Sequence, residues 1–205
     1  MDYRNAGNWA SGGLEQVFGT TGSPAVAVGS STNVPVHGTY RLELIGAGTA
    51  ATVKIYTNPQ ITTEQNITGT FFTEFYFQLS DTTTAFAHTF FYAYNSSGAQ
   101  SFWLHLETNG DISIVDAASA TVGTISAPFT DDTWHRITIW CEIADPGDME
   151  IKIDGVTAAS LTGEDFANSA GDVAISQIWF AGARVGGEDA FVDGWYCGSA
   201  DSIND

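Results

Sequence analysis

Six side chains of this 205-residue chain combine a flat ring with a position facing away from an apolar set: Tyr76, Tyr92, Tyr94, Trp103, His105 and Trp140. Their segments alternate with a period of two, the mark of a strand with unlike faces. Along 71–79, Phe71, Phe75, Phe77 and Leu79 share one parity, and Phe72, Glu74, Tyr76 and Gln78 share the other. Along 88–94, His88, Phe90, Tyr92 and Tyr94 alternate with Thr89, Phe91 and Ala93. Phe102, Leu104 and Leu106 oppose Trp103, His105 and Glu107, while His135, Ile137, Ile139 and Cys141 oppose Arg136, Thr138, Trp140 and Glu142. The solvated face of a sheet is ordinarily polar, so rings there need cover or a ligand. Sugars offer apolar C–H faces that stack on such rings, and Glu74, Gln78, Arg136 and Glu142 supply hydrogen bonds to hydroxyls. A covering loop or a second subunit meets the same need, because apolar patches also mark interfaces.

Other chemistries find less support. Glycoside hydrolysis needs two carboxylates, about 5–5.5 Å or 6.5–9.5 Å apart. The nearest strings are Glu150-Ile151-Lys152-Ile153-Asp154, with a lysine in the middle, and the looser Glu188-Asp189-Ala190-Phe191-Val192-Asp193. No Ser–His–Asp set is suggested by spacing, and no Gly-rich phosphate loop precedes a helix. His135 reads as a satisfied core or edge residue, and His37 and His88 lack a clustered partner. Asp131 with Asp132, Asp145 with Asp148, and Glu188, Asp189 and Asp193 offer the hard oxygens that Ca²⁺ takes. In a chain this acidic, neighbouring carboxylates are expected by chance, so no metal or cofactor is assigned. Cys141 and Cys197 are read as buried thiols, with one inter-strand bridge as the alternative. Asn66-Ile67-Thr68 and Asn95-Ser96-Ser97 match the glycosylation pattern by chance, in the absence of a secretory signal.

The elements that must position the rings are short strands. Thr133–Val156 is the clearest: strand 134–142, a turn at Ala144-Asp145-Pro146-Gly147-Asp148, a second alternating run through Ile153, and a tight Asp154-Gly155 turn. Strands are expected over Tyr40–Leu44, Val53–Tyr56, Phe71–Leu79, His88–Tyr94 and Ser101–Glu107. The later ones are Ile112–Val115, Ala120–Ile125, Val173–Ala181 and Ala190–Tyr196, and Asn109-Gly110 signals a hairpin. Residues 157–172 read as a long loop or a single helical turn. The Gly-, Ser-, Thr- and Ala-rich stretch 1–36 reads as an N-terminal arm or irregular edge, with Val26 and Val28 suited to a short strand. Residues 37–205 form a single β-sandwich domain without repeat or linker.

Three segments carry a family resemblance. Trp134-His135-Arg136 opening a strand, followed after a loop by Ile151-Lys152-Ile153-Asp154-Gly155-Val156, resembles the paired strands of laminin-G-like and concanavalin A-like domains. Gly38-Thr39-Tyr40-Arg41-Leu42-Glu43-Leu44 resembles their early strand, and Phe191-Val192-Asp193-Gly194-Trp195-Tyr196 their closing one. The order of strands matches over roughly residues 38–197. The resemblance implies an all-β, two-sheet antiparallel jelly-roll sandwich. It also implies rim Ca²⁺ as a possible ligand, and relatives that are lectins, glycosidases, or decoration and adhesion modules of phage particles.

Composition narrows the partners. With 24 acidic residues against 6 basic ones the net charge is −18. That excludes a basic patch for nucleic acid and attraction to anionic membranes. No stretch approaches the about 20 apolar residues of a membrane span. The first residues lack a basic start followed by an apolar run, so no secretory signal is read. The expectation is a non-enzymatic structural or interaction protein of a viral (phage) particle, made in the host cytoplasm. Its partners would be other virion proteins or copies of itself, with weak adhesion to cell-surface glycans as an added role. A free carbohydrate-binding module and a glycan-cleaving hydrolase or lyase are the alternatives.

Overall fold

A computed structural model describes residues 19–21, 25–29, 41–45, 51–57, 67–80, 82, 88–169, 171–173, 175–182 and 189–199. The described residues form strands and turns and contain no helix. The early strands are β1 (Gly19–Thr21), β2 (Ala25–Gly29), β3 (Arg41–Ile45), β4 (Ala51–Thr57) and β5 (Ile67–Leu79). Next come β6 (His88–Tyr94), β7 (Gln100–Leu106), β8 (Ile112–Val115), β9 (Thr121–Ile125) and β10 (His135–Ile143). The last are β11 (Gly147–Ile153), β12 (Val156–Glu164), β13 (Asp172–Val173), β14 (Ile175–Gly182) and β15 (Asp189–Ser199). One seven-stranded sheet runs β1-β4-β14-β6-β7-β8-β9. The eight-stranded sheet runs β12-β11-β10-β5-β15-β3-β2, with β13 paired to β5. The expected two-sheet antiparallel sandwich is the fold of this chain.

Two differences from the sequence reading have simple causes. Residues 156–164 are not a loop but an edge strand, paired with β11 from Ile153↔Val156 to Gly147↔Glu164. Its Thr, Ser and Gly residues hid it, because an edge strand exposes much of its surface and carries little hydrophobic signal. In β6 the strict alternation fails. A register shift between Thr89 and Phe91 lets Phe90 and Phe91 both turn inward, each fully buried. Gly19–Thr21 and Ala25–Gly29 pair with β4 and β3, so strands from the stretch read as an arm or edge reach both sheets.

Phenylalanines fill the space between the sheets. Phe71, Phe75 and Phe77 of β5 meet Phe102, Phe91 and Phe90 at centroid distances of 5.9, 5.8 and 5.4 Å. Phe129 and Phe166, from the loops after β9 and β12, close onto Phe77 and Phe102 at 5.7 and 6.1 Å. Sheets about 10 Å apart leave room for one such interdigitated layer.

The Trp-His-Arg opening and the Asp-Gly turn prove to be one clamp. Asp154 (φ 55°) and Gly155 (φ 82°) make a two-residue left-handed turn, the geometry that suits a twisted hairpin. Asp154 Oδ1 accepts from the Arg136 amide at 2.8 Å, and its Oδ2 lies 2.7 Å from His135 Nδ1. The Thr130 amide donates to His135 Nε2 at 3.1 Å. A backbone N–H can only donate, so Nε2 holds the lone pair and Nδ1 carries the proton given to Asp154. His135 is thus buried and satisfied, as its parity suggested.

Burial is the largest single influence on the Asp154 carboxyl and raises its pKa. The Arg136 amide, the His135 hydrogen bond and the electrostatic pull of the His135 ring and the Arg136 guanidinium together outweigh it, leaving the carboxyl below its ordinary value. Because the folded pKa is depressed, the unfolded chain binds the proton more readily. The clamp therefore stabilises the fold above the ordinary value of about 3.9 and is lost as pH falls through the folded pKa. Thermal melts of Asp154→Asn should be less stable than the parent at neutral pH and show a flatter dependence below about pH 4. Parallel curves for the two proteins would exclude the clamp as an acid-labile element. At the preceding turn, a Cβ on Gly147 would lie 2.4 Å from the Glu142 carbonyl and 2.9 Å from that of Ala144. Gly147→Ala should lower stability by about 1–3 kcal/mol or more in denaturant titration, because the clash is with backbone.

Candidate functional site on the outer faces of the sandwich

The six ring-bearing residues lie on the outside of the sandwich but on two opposite faces. Tyr76 and Trp140 belong to the eight-stranded sheet, while Tyr92, Tyr94, Trp103 and His105 belong to the seven-stranded sheet. Parity distinguishes inside from outside, and says nothing of which sheet a strand joins. A single six-membered patch is therefore not formed.

On the eight-stranded sheet, β5 and β10 run side by side with Trp140↔Phe72, Thr138↔Glu74 and Arg136↔Tyr76 in register. On the other side of β10, Trp140 faces Glu150 and Thr138 faces Lys152. Thr138 Oγ1 donates to Glu74 Oε2 at 3.1 Å. Lys152 Nζ lies 3.3 Å from Glu150 Oε2, and Thr157 Oγ1 donates to Glu150 Oε1 at 2.7 Å. The Thr157 hydroxyl is the main cause that lowers the Glu150 pKa; slight burial opposes it and Lys152 assists. Trp140 is half-buried, and its indole makes no hydrogen bond or ring contact among the described residues. Arg136 reaches sideways instead. Its Nη2 would lie 3.1 Å from a Cβ on Gly155, so it covers the Asp154-Gly155 turn rather than the centre of the face.

One end of this face is closed. Gln78 is 2% exposed, its Nε2 donates to the Asp132 carbonyl, and Phe191 packs 6.4 Å from Trp134. Loop cover is thus the fate of Gln78, while Trp140 and Glu74 stay accessible. Asp131 is engaged by the amide and hydroxyl of Thr82 at 2.6 and 2.8 Å, and Asp148 Oδ1 accepts from the Gly163 amide at 3.2 Å. Among the described residues no three His, Cys, Asp or Glu side chains converge as a metal site. The side chains of Glu188, Asp189 and Asp193 lie outside the described residues, as do His37 and the side chain of His88.

On the seven-stranded sheet, Tyr92 pairs with Trp103, and Trp103 with Val115. Tyr92 and Tyr94 stack at 5.4 Å with planes 21° apart. Burial raises the Tyr92 pKa, a hydrogen bond from Thr89 lowers it in part, and Tyr94 adds to the rise. The Thr89 hydroxyl also bonds His105 Nδ1 at 2.9 Å. Trp103 is half-buried, with no hydrogen bond or ring contact among the described residues.

Sequence reasoning missed one functional group. Lys152 was weighed only as an interruption of a carboxylate string, yet its outward parity opposite Thr138 sets it beside Trp140. Asn95 was read as a chance sequon match. It is 1% exposed; its Nδ2 donates to the Asn168 carbonyl, and its Oδ1 accepts from Ser97 and Ala99. It serves as the hinge of a turn. Asn66 lies outside the described residues.

The architecture defines a jelly-roll sandwich, and solved structures of that class superpose over nearly the whole chain. Cellulose induced protein, Cip1, matches with a TM-score of 0.68 at 12% identity, covering 90% of this chain and 91% of that one. An endo-beta-1,4-glucuronan lyase from the fungus Trichoderma reesei gives 0.69 at 16% identity, covering 93% and 92%. The binding domain of botulinum neurotoxin DC, solved with rat synaptotagmin II, gives 0.61 at 11% identity; the match covers 90% of this chain but 43% of that one. No family model and no curated protein sequence matches.

Cys141 is free and fully buried. It pairs with Phe71, while Cys197 pairs with Thr73 on the other side of β5. Two strand spacings are about 9.6 Å, beyond the roughly 7 Å limit for bridged Cα atoms, so no disulfide joins them. Burial, aided by the Glu142 charge, pushes the Cys141 thiol well above its ordinary value. Iodoacetamide should leave the Cys141 peptide unmodified in the native chain and alkylate it after denaturation. Native alkylation at neutral pH would contradict this packing.

Proposed function

We propose that the chain is a non-enzymatic glycan-adhesion sandwich, and that the glycan lies on the outer face of the eight-stranded sheet. The observation that carries this is Trp140. It is a half-buried indole with no hydrogen bond or ring contact among the described residues, beside the Thr138–Glu74 hydrogen bond on one flank and the Glu150–Lys152 ion pair on the other. An apolar ring edged by carboxylates, an ammonium and a hydroxyl matches the two demands of a sugar, a C–H face to stack and hydroxyls to orient. Both carboxylates are already tied to hydroxyls, and Asp154 is consumed by its clamp. That favours adhesion over acid–base cleavage. The neighbours support the choice of fold for such work: cell entry of botulinum neurotoxin type C, whose binding region shares this sandwich, is dependent upon interaction with two ganglioside molecules. The glucuronan lyase keeps a cleaving activity as the competing reading.

We place this adhesion on the surface of a viral particle. The support is the acidic composition, which disfavours nucleic acid and anionic membranes and suits an exterior position.

A glycan array is the first experiment. Saturable binding is expected, and Trp140→Ala should weaken it by on the order of 10–30-fold, the scale of a central aromatic anchor. Trp103→Ala should leave it unchanged. Absence of binding to any glycan would sink the proposal, and the appearance of new sugar ends would replace it with the lyase reading.

A further inference from the structure

We infer that the ligand of the eight-stranded face is a linear glycan without acidic groups, three or more sugars long, lying parallel to β5 and β10. The inference rests on the glycan reading and adds direction, length and charge to it.

Direction follows from the register. Along the paired strands the outward side chains come in three rungs: Trp140 with Phe72, Thr138 with Glu74, and Arg136 with Tyr76. All six are half-buried, so each keeps part of its surface in water. Rings stand at the first and third rungs, with a hydroxyl and a carboxylate between them. Across the strands this pattern is not repeated. Beyond Trp140, β11 offers Glu150 and β12 offers Ser160; beyond Phe72, β15 offers Gly198. Ring platforms thus recur along the strands, and a sugar chain that stacks on more than one must follow them.

Length follows from the rise. Successive rungs are two residues apart, so the first and third are separated by about 13 Å. A pyranose with its linking oxygen covers less than one rung. A disaccharide therefore reaches one platform and the polar rung beside it, and contact with both platforms takes three sugars.

Charge follows from which groups are already engaged. Glu74 Oε2 accepts from the Thr138 hydroxyl, while its Oε1 makes no hydrogen bond among the described residues. An ionised carboxylate oxygen can only accept, so this one takes a hydroxyl and repels another carboxylate. The nearby cations do not offset it. Lys152 Nζ is held 3.3 Å from Glu150, and Arg136 lies over the Asp154-Gly155 turn. The net charge of −18 adds a long-range repulsion of acidic polymers. A free acceptor between two ring platforms selects hydroxyl-bearing sugars and disfavours uronates and sulfated or sialylated chains.

The test is a glycan array of the full chain, with uncharged, amino and acidic glycans of one to six sugars. Calorimetric titration of the best hit and its shorter fragments follows. Affinity should rise about 10-fold or more between two sugars and four and then level, and acidic glycans of equal length should bind more weakly. Tyr76→Ala should weaken the tetrasaccharide by about 10-fold and leave the disaccharide unchanged, whereas Trp140→Ala should weaken both. Glu74→Gln, which keeps an acceptor and removes the charge, should narrow the gap to acidic glycans by about 2–5-fold, the scale of one exposed charge. Should Tyr76→Ala fail to fold, the length series on the parent chain still decides. Affinity that levels at one or two sugars, or a preference for acidic glycans, would overturn the inference and leave adhesion standing. No binding to any glycan would remove the adhesion reading itself, and this inference with it.

Discussion

The inter-sheet phenylalanine layer is the constraint on which the rest of the structure depends. Phe71, Phe75 and Phe77 alternate along β5, the strand shared by β10 and β15, and each meets a ring from β6 or β7. Once these rings face inward, the period of two leaves no choice for Phe72, Glu74 and Tyr76. A one-residue slip of β5 would move Phe71, Phe75 and Phe77 to the outer face and Glu74 to the core, and the register is therefore tightly specified. The bulge at Thr89–Phe91 belongs to the same constraint. It lets β6 deliver two adjacent phenylalanines to the layer, and it resets parity so that Tyr92 and Tyr94 face outward.

What the layer leaves open, the turns settle. The Asp154 carboxylate holds the start of β10 and the β11–β12 turn together through the Arg136 amide and the His135 ring. Phe129 packs against both that ring and Phe77, so the clamp is continuous with the core. Hydrogen bonds at this edge thus orient the strands whose outward positions carry Trp140, Glu150 and Lys152. The Gln78 end works in the reverse sense: the loop through Asp132 and Trp134 folds back and withdraws its polar side chain from solvent. Part of the face is covered and part is open, and the chain decides which by local hydrogen bonding.

Much of this was legible in the sequence. Alternation located most of the strands, and the family resemblance of the Trp-His-Arg and Asp-Gly segments pointed to the sandwich; in this chain the two segments meet where the His135 ring and the Arg136 amide share Asp154. The edge strand β12 was not legible, since Val156–Glu164 exposes much of itself and shows no apolar period. Nor could parity divide the six rings between sheets. That division depends on which distant strands pair, β5 with β10 and β6 with β7, and pairing partners leave no mark on the period of a single strand.

The division carries the functional argument. The chain has few cations, and the two whose side chains are described, Arg136 and Lys152, both rise from the eight-stranded sheet among carboxylates. A face with mixed charges around one open indole can hold a polar ligand, because each hydroxyl finds a donor or acceptor and the ring supplies the apolar contact. Across the sandwich, the outward positions around Trp103 hold no charged group in β6, β7 or β8, and Tyr92, Ser113 and Val115 among them are already buried. The same fold thus presents two surfaces of opposite solvation character, about one phenylalanine layer apart.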